Sequence, residues 1–501
     1  MSGLGARLVG AIHRQAFGLP PRRTDYTVER GIRVPTRDGA ELITDHYAPV
    51  GASAGAVLIR TPYPRGLPES LLHGRMLAEH GYHVVIQSVR GTGGSTGPFR
   101  PIAQETEDGQ DAVAWLRTQP WFTGVLATLG GSYLGWAQWA LLRDAPPELR
   151  AAIVLVGPHD FGRAIRGTGS FALADFLGWS ATMAAQPQGL RAVAAARKRV
   201  ATALRDRTPL DVGAPWLADW TDHTDLDDPF WQPYNASAAL HDTKIPVLLI
   251  GGWQDVFLDQ TLEQYRILRE HNPDVALTVG PWTHMQTAFK AAKVIDNEAL
   301  AWLDQHLAGA ASRRPAPVRV HLDGEWRSMP SWPPATTDTV FALAPGRLTA
   351  SPATGIVEFT YNPDDPTPAV GGRHMSAGAG RQDNRRLEQR DDVAVFTSDP
   401  LDRDLEVLGA PTVTLQLEGE PATVFIRLCD VDDRGRSWNV TEVYTQAAGT
   451  IELGQCAYRF RAGHRLRLQV SGGAYPRYAA NPEKVRYVIN SAGSTLILPT
   501  A

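Results

Sequence analysis

The sequence predicts an α/β core that is interrupted by a helical insertion and followed by a β-sandwich. Three observations predict it: apolar runs alternating with helical patterns, an outsized connection between two of those runs, and a change of texture near Ala308. Between Gly55 and His284 six short runs recur: AVLIRTPY, HVVIQSVRG, VLATLGGS, AAIVLVGPHD, IPVLLIGGWQD and VALTVGPWTH. Continuous apolar runs of this kind suit strands covered on both faces, as in a parallel sheet. Segments such as EDGQDAVAWLRTQP, where Ala112, Ala114, Trp115 and Leu116 stand beside charged residues, supply the helices between them.

Upstream, VERGIRVPTRDGAELITDHYAPV reads as two strands joined at Asp38-Gly39, a hairpin forming an antiparallel edge. The connection from Asp160 to Ile245 is about 85 residues long, whereas a crossover with its helix needs roughly a dozen. Its first part is helical in pattern (FALADFLGWSATMAAQ, LRAVAAARKRVATALRD) and its second is rich in Trp and Pro, as expected of a cap over the sheet's carboxyl edge. Beyond Ala308, ASRRPAPVRV leads into TVTLQL, TVFIRL, HRLRLQV and STLILP, separated by Gly, Pro and Asp turns. That spacing is typical of a sandwich or jelly roll. The expected domains are a core in two parts, residues 1–160 and 241–310, a helical cap over 161–240, and a β-sandwich over 311–501.

Composition narrows the function classes. A chain of 501 residues, 43% hydrophobic and 20% charged, has material for two or three folded domains with sizeable cores. A net charge of −4 with no basic block gives no electrostatic basis for binding nucleic acid or an anionic membrane. Cys429 and Cys456 allow at most one bridge, which fits a reducing compartment. The opening MSGLGARLVGAIHRQAFGLPPRR has basic residues inside and after a short, interrupted apolar segment, unlike a secretory leader. No window has the roughly 18 apolar residues of a spanning helix. The expectation is a soluble, cytoplasmic protein, in which the sequons at Asn235 and Asn439 are chance matches. The oligomeric state stays open, a homodimer included.

The chemistry centres on TLGGSYLGWAQW, Thr128–Trp139, which places Ser132 where a strand-like run gives way to a helical one. Nucleophilic serine hydrolysis needs a hydroxyl beside a neutral imidazole whose tautomer a carboxylate fixes. In α/β-hydrolases these groups arrive in the order Ser, Asp, His, each at a strand's carboxyl end. Ser132 after VLATLGG, Asp255 after IPVLLIGGWQ and His284 after VALTVGPWT match that order and context. Each alone has a structural alternative: a serine in a Gly-rich loop, a loop aspartate, one of 14 histidines. The generic elbow G-x-S-x-G is also imperfect here, because Leu134 holds the second position after Ser132 and glycine comes at Gly135. An oxyanion hole requires two donors. The Tyr133 amide is one candidate and the Tyr63 phenol in IRTPYPRG the other, unless Tyr63 merely packs.

The segments VPTRDGAELITDHYAP, TPYPRG, QSVRGTGGSTGPF, QPWFTGVLATLGGSYLG, PVLLIGGWQD, GPWTH, SDPLDRDLEVLGAP, RLCDVDDRGRSWNVTE and GHRLRLQVSGGAYPRYAANP together resemble the family of cocaine esterase, α-amino-acid ester hydrolases and X-prolyl dipeptidyl peptidases. The resemblance runs from about residue 26 to the end. It implies an α/β-hydrolase core with a cap and a galactose-binding-like jelly roll. The family elbow is Gly-x-Ser-Tyr-x-Gly, so Leu134 and Gly135 agree with it. It also implies a Ser132, Asp255, His284 triad, with the Tyr63 hydroxyl and Tyr133 amide as oxyanion donors.

The amino-ester branch carries acids two and three positions after the triad aspartate, where this chain has Phe257 and Leu258. An aromatic at the first of these resembles cocaine esterase, whose acyl pocket is apolar, and Trp179 in the cap is a further candidate for such a pocket, or simply packs. Asp160, at the end of AAIVLVGPHD, is either a contact for a cationic substrate or a helix cap. His159 precedes the last two strands and is a poor rival for the base.

The expected function is a serine hydrolase of aryl or acyl esters acting through an acyl-enzyme on a small-molecule substrate. One alternative is an X-prolyl dipeptidyl peptidase or acylase; another is a carbohydrate- or partner-binding protein with an idle core. RGTGGSTGPF is followed by Pro98-Phe99 and no evident helix, which disfavours a nucleotide loop. DVDDRG lacks calcium ligands at Arg434 and Thr441 and reads as a turn. The chemistry requires no metal or cofactor.

Overall fold

The computed structural model describes residues 14–66, 70–419, 423–447 and 449–501, so the first 13 residues of the opening segment lie outside it. The chain forms two compact units. One comprises the described residues up to Gly162, Asp227–Gly252 and Gln260–Pro317; the other comprises Arg163–Leu226, Trp253–Asp259 and the described part of Val318–Ala501.

In the first unit the strands are β1 (Tyr26–Pro35), β2 (Glu41–Pro49), β3 (Ala56–Thr61), β4 (His83–Ser88), β5 (Leu126–Gly131), β6 (Leu149–Leu155), β7 (Val247–Gln254, whose last two residues belong to the second unit) and β8 (Val275–Thr283). They lie in the order β1-β2-β4-β3-β5-β6-β7-β8. The first two form the antiparallel hairpin expected around Asp38-Gly39, with Gly39 at φ 86° in the turn. β2 pairs antiparallel with β4, and the pairs from β4 through β3, β5 and β6 to β7 are parallel. Every residue of β3 and of β4 is buried, the condition that continuous apolar runs satisfy. The helix Tyr133–Leu142 is buried at every position as well, matching its apolar composition all round.

The second unit contains the insertion helices Leu173–Ala185, Leu190–Asp206 and Pro215–Asp222. They share a small core of Leu177, Ala181, Val200 and Val212. This insertion is joined to the C-terminal β-domain within its unit. Ala174 N–H donates to the Pro476 carbonyl (3.0 Å), Ala479 N–H to Phe171 (2.9 Å), and Met375 N–H to the Asp175 carboxylate (2.7 Å). A hairpin of β9 (Val318–Leu322) and β10 (Glu325–Met329) precedes the β-domain.

That domain is almost wholly antiparallel. Its longest strand, Val485–Thr500, pairs with Thr337–Ala344, Ile356–Tyr361 and Thr412–Leu417, slipping register between Thr414 and Gln416. Alternate residues of these strands point into a core that includes Phe396, Leu428, Phe460, Leu468 and Ile489. Cys429 and Cys456 are buried free thiols, and burial pushes the Cys456 thiol up to about 12. Among the described residues no helix is long and apolar enough to cross a membrane.

Candidate active site

At the end of β5 the chain turns at Ser132 directly into the helix Tyr133–Leu142. Ser132 stands at φ 59°, ψ −121°, a conformation that L-residues rarely adopt. Its N–H donates to the Leu155 carbonyl (2.9 Å), and its carbonyl accepts from Gly135 N–H (2.9 Å) and Trp136 N–H (3.0 Å). Sterics fix the neighbouring glycines. A Cβ on Gly130 would lie 2.4 Å from Leu134 Cβ, and one on Gly135 would lie 2.7 Å from Gly157 Cα. This accounts for the departure from the generic elbow: the helix meets foreign backbone at position 135, while Leu134 is a buried packing residue.

The turn presents Ser132 Oγ 2.9 Å from Nε2 of His284. His284 follows β8 and opens the short helix His284–Thr287, whose capping box joins Thr283 and Gln286. Gly252 and Gly280 make room for Trp282 just before it, since a Cβ on either would come within 2.3 Å of that residue. A half-buried hydroxyl and a buried imidazole at this separation are arranged for proton transfer.

Tyr133 heads the helix, where first-turn N–H groups point out of the N-terminal end. Its phenol donates to Glu105 Oε1 (2.8 Å) and accepts from Ile102 N–H (2.9 Å), and its ring centroid is 6.5 Å from that of Phe99. Glu105 is buried against Arg60 (2.7 Å), and a chain of pairs continues from Asp108 to Arg90 (2.6 Å) and from Arg90 to Asp38 (2.7 Å). Burial raises the Glu105 carboxyl despite the attraction of Arg60, and it holds the Tyr133 phenol well above its ordinary range. Sequence reasoning missed this support. Its signal was an arginine inside AVLIRT, because a guanidinium in a doubly covered strand requires a carboxylate.

The other candidates fall as follows. Tyr63 is half-buried on the loop after β3, its N–H donating to Thr61 Oγ1 (3.1 Å). Asp255 is fully buried directly after β7; its Oδ1 accepts from Phe257 N–H (2.8 Å), and Phe257 is buried as well. Trp179 belongs to an indole cluster of the insertion, 6.3 Å from Trp216 and 6.0 Å from Trp220. Asp160 Oδ2 accepts from Asn235 Nδ2 (3.0 Å), and the Asp160 backbone is bonded to Gln260. His159 lies 3.2 Å from Gln264 and 3.6 Å from Glu263.

RGTGGSTGPF folds into a compact turn in which Ser95 N–H donates to the Thr92 carbonyl (2.8 Å). DVDDRG is the turn between two sandwich strands, with Asp432 accepting from Arg434 N–H (3.0 Å) and Arg436 N–H (2.9 Å). Asn439 is buried and donates to the Gly380 carbonyl (3.1 Å). Among the described residues no group of three or more His, Cys, Asp or Glu side chains is placed to hold a metal ion.

A doubly covered parallel sheet with a strained serine elbow, followed by an all-β domain, defines an α/β-hydrolase-type protein. Two family models match in tandem: X-Pro dipeptidyl-peptidase (S15 family) over residues 38–286, and the X-Pro dipeptidyl-peptidase C-terminal non-catalytic domain over residues 310–498. The chain belongs to this S15 family of hydrolases. Cocaine esterase from Rhodococcus sp. (strain MB1 Bresler) is 28% identical, over 91% of this chain and 92% of its own. Two solved structures share the fold at 21% identity: an α-amino acid ester hydrolase (TM-score 0.77, covering 96% of this chain and 98% of its own) and an aminopeptidase from the marine sediment archaeon Thaumarchaeota archaeon (TM-score 0.78, covering 96% and 97%).

Proposed function

We propose that this protein hydrolyses uncharged carboxylic esters through an acyl-enzyme formed on Ser132. The observation that carries the proposal is the 2.9 Å approach of Ser132 Oγ to His284 Nε2 on a strained strand-to-helix turn. As Ser132 Oγ attacks the carbonyl, His284 accepts its proton, and Asp255 orients the imidazole and stabilises its cation. The Tyr133 N–H and the Tyr63 phenol receive the oxyanion. His284 then protonates the leaving alcohol; in the second half it takes a proton from water as the hydroxide attacks the acyl carbon, and returns that proton to Ser132 Oγ as the acyl–oxygen bond breaks and the acid departs. Likeness to cocaine esterase over nine-tenths of both chains supports an ester as substrate. Phe257 and Leu258, where amino-ester relatives carry acids, support an uncharged acyl group, with Trp179 assigned beside Phe257 to its apolar recognition.

The S15 family match favours one second reading, release of X-Pro dipeptides with Asp160 holding the substrate ammonium. Active-site titration with a fluorophosphonate, followed by a panel of benzoyl, short acyl and α-amino-acyl esters and X-Pro anilides, separates the two. Titration lost in S132A, with turnover of uncharged esters by the wild type, is the expected result. Preference for free-amine substrates, abolished by D160N, transfers the assignment to the peptidase, and near-normal esterase activity in S132A rejects the mechanism.

A further inference from the structure

Trp253–Asp259, the stretch that carries Asp255, belongs to the same compact unit as the β-domain although residues of the other unit flank it on both sides. Three of its side chains are fastened to that domain and its hairpin. Trp253 Nε1 donates to the His321 carbonyl (2.8 Å), and its ring centroid is 5.2 Å from that of Trp332. Gln254 Nε2 donates to the Val440 carbonyl (3.0 Å). At the far end, Asp259 Oδ1 accepts from Arg373 Nη1 (2.7 Å).

Arg373 is itself immobilised. It is buried, its backbone N–H donates to Glu442 Oε1 (2.9 Å), and its Nη2 donates to the Gln455 carbonyl (2.6 Å) and to Thr441 Oγ1 (3.1 Å). The space for these charged heads is built in. A Cβ on Gly454 would lie 2.1 Å from Arg373 Nη1, and one on Gly372, at φ 94°, would lie 2.0 Å from Glu442 Oε1. One strand, Ser437–Gln446, thus supplies Val440, Thr441 and Glu442 to the grip. With the stretch held at Trp253, Gln254 and Asp259, the turn between them is fixed at both ends, and Phe257 N–H ties the Asp255 carboxylate to that turn.

We infer that the β-domain positions the triad carboxylate, with Gln254, Asp259 and Arg373 as positioning residues that act through Asp255. This rests on the assignment of Asp255 as the acid of the triad. Displacement of a catalytic group by about 1 Å costs up to two orders of magnitude in rate. The domain that contributes no nucleophile therefore acts on turnover.

Asp259 is largely exposed, so Q254A, D259A and their double variant loosen the grip while Glu442 stays in place beside Arg373. Each is made in the full-length wild-type chain and in D255N, and assayed with a 4-nitrophenyl ester. The double variant is expected to lose about tenfold in kcat with KM changed by less than about twofold. In D255N the same pair is expected to change kcat by less than about twofold, since no carboxylate remains to be positioned. Wild-type kcat in the double variant beside an impaired D255N overturns this inference alone, as does an equal fold-loss in both backgrounds. Full activity of D255N itself overturns the assignment of Asp255, and the inference with it.

Discussion

The turns that carry Ser132 and Asp255 follow neighbouring kinds of strand, yet they are held by different means. Ser132 is fixed by backbone: its own helix at Gly135 and Trp136, the adjoining strand at Leu155, and glycines that admit Leu134 and Gly157. The Asp255 turn is fixed by side chains and carbonyls more than 60 residues away, at His321, Arg373 and Val440. Each also stands near a buried ion cluster, Arg60 with Glu105 in one case and Arg373, Arg427 and Arg477 around Glu442 in the other. Strain at Ser132 can be stored locally because a backbone conformation is a local property. Orienting a carboxylate takes leverage from elsewhere.

The two clusters differ in sign as well as place. Burial dominates at Glu105 and raises its carboxyl. At Glu442 burial pushes the same way, but Arg427, Arg477 and Arg373 outweigh it and hold the carboxyl down at about 2. The Glu442 contribution to stability is therefore fully present above its unfolded value and lost as pH falls toward the folded one.

Removing the proposed nucleophile or the proposed acid should have the largest effects. S132A is expected to lower kcat by about 10⁵-fold and D255N by about 10⁴-fold, measured with the same ester. Next comes E442Q, which leaves buried guanidinium groups uncompensated and should destabilise the protein by about 3–5 kcal/mol at pH 7 in urea unfolding. The wild type should lose stability relative to E442Q as pH falls from about 4.5 to about 2, roughly 3 kcal/mol in all; parallel pH profiles would contradict the charge account. G135A sharpens the local half of the comparison. Its methyl meets backbone at Gly157, so a loss of about 1–3 kcal/mol is expected. Y133F should be comparable or milder, about 1–3 kcal/mol, because it leaves Ile102 N–H and Glu105 without the phenol oxygen.

What could be read from sequence follows the same division. The runs AVLIRTPY and VLATLGGS identify β3 and β5 because burial on both faces is written in consecutive residues. The TLGGSYLGWAQW turn was legible because its glycines and helix are contiguous. Leu134 looked like a defect only because the glycine requirement lies at the crossing with Gly157, about 20 residues on, which no local pattern shows. Likewise Asp38-Gly39 announced a hairpin, while the reach of Asp38 to Arg90 and onward to Asp108 had no local mark. The insertion was visible as excess length and helical pattern. Its union with the β-domain was not, since it depends on main-chain bonds from Ala174 to Pro476 and from Ala479 to Phe171.

In the proposed mechanism His284 activates Ser132 as a nucleophile. Intact-mass and peptide analysis after fluorophosphonate treatment tests it most directly, with wild type, H284A and S132A side by side. One label per wild-type chain on the peptide containing Ser132, greatly slowed in H284A and absent in S132A, is the predicted result. Undiminished labelling of S132A, or a wild-type chain that takes up no label, would contradict it.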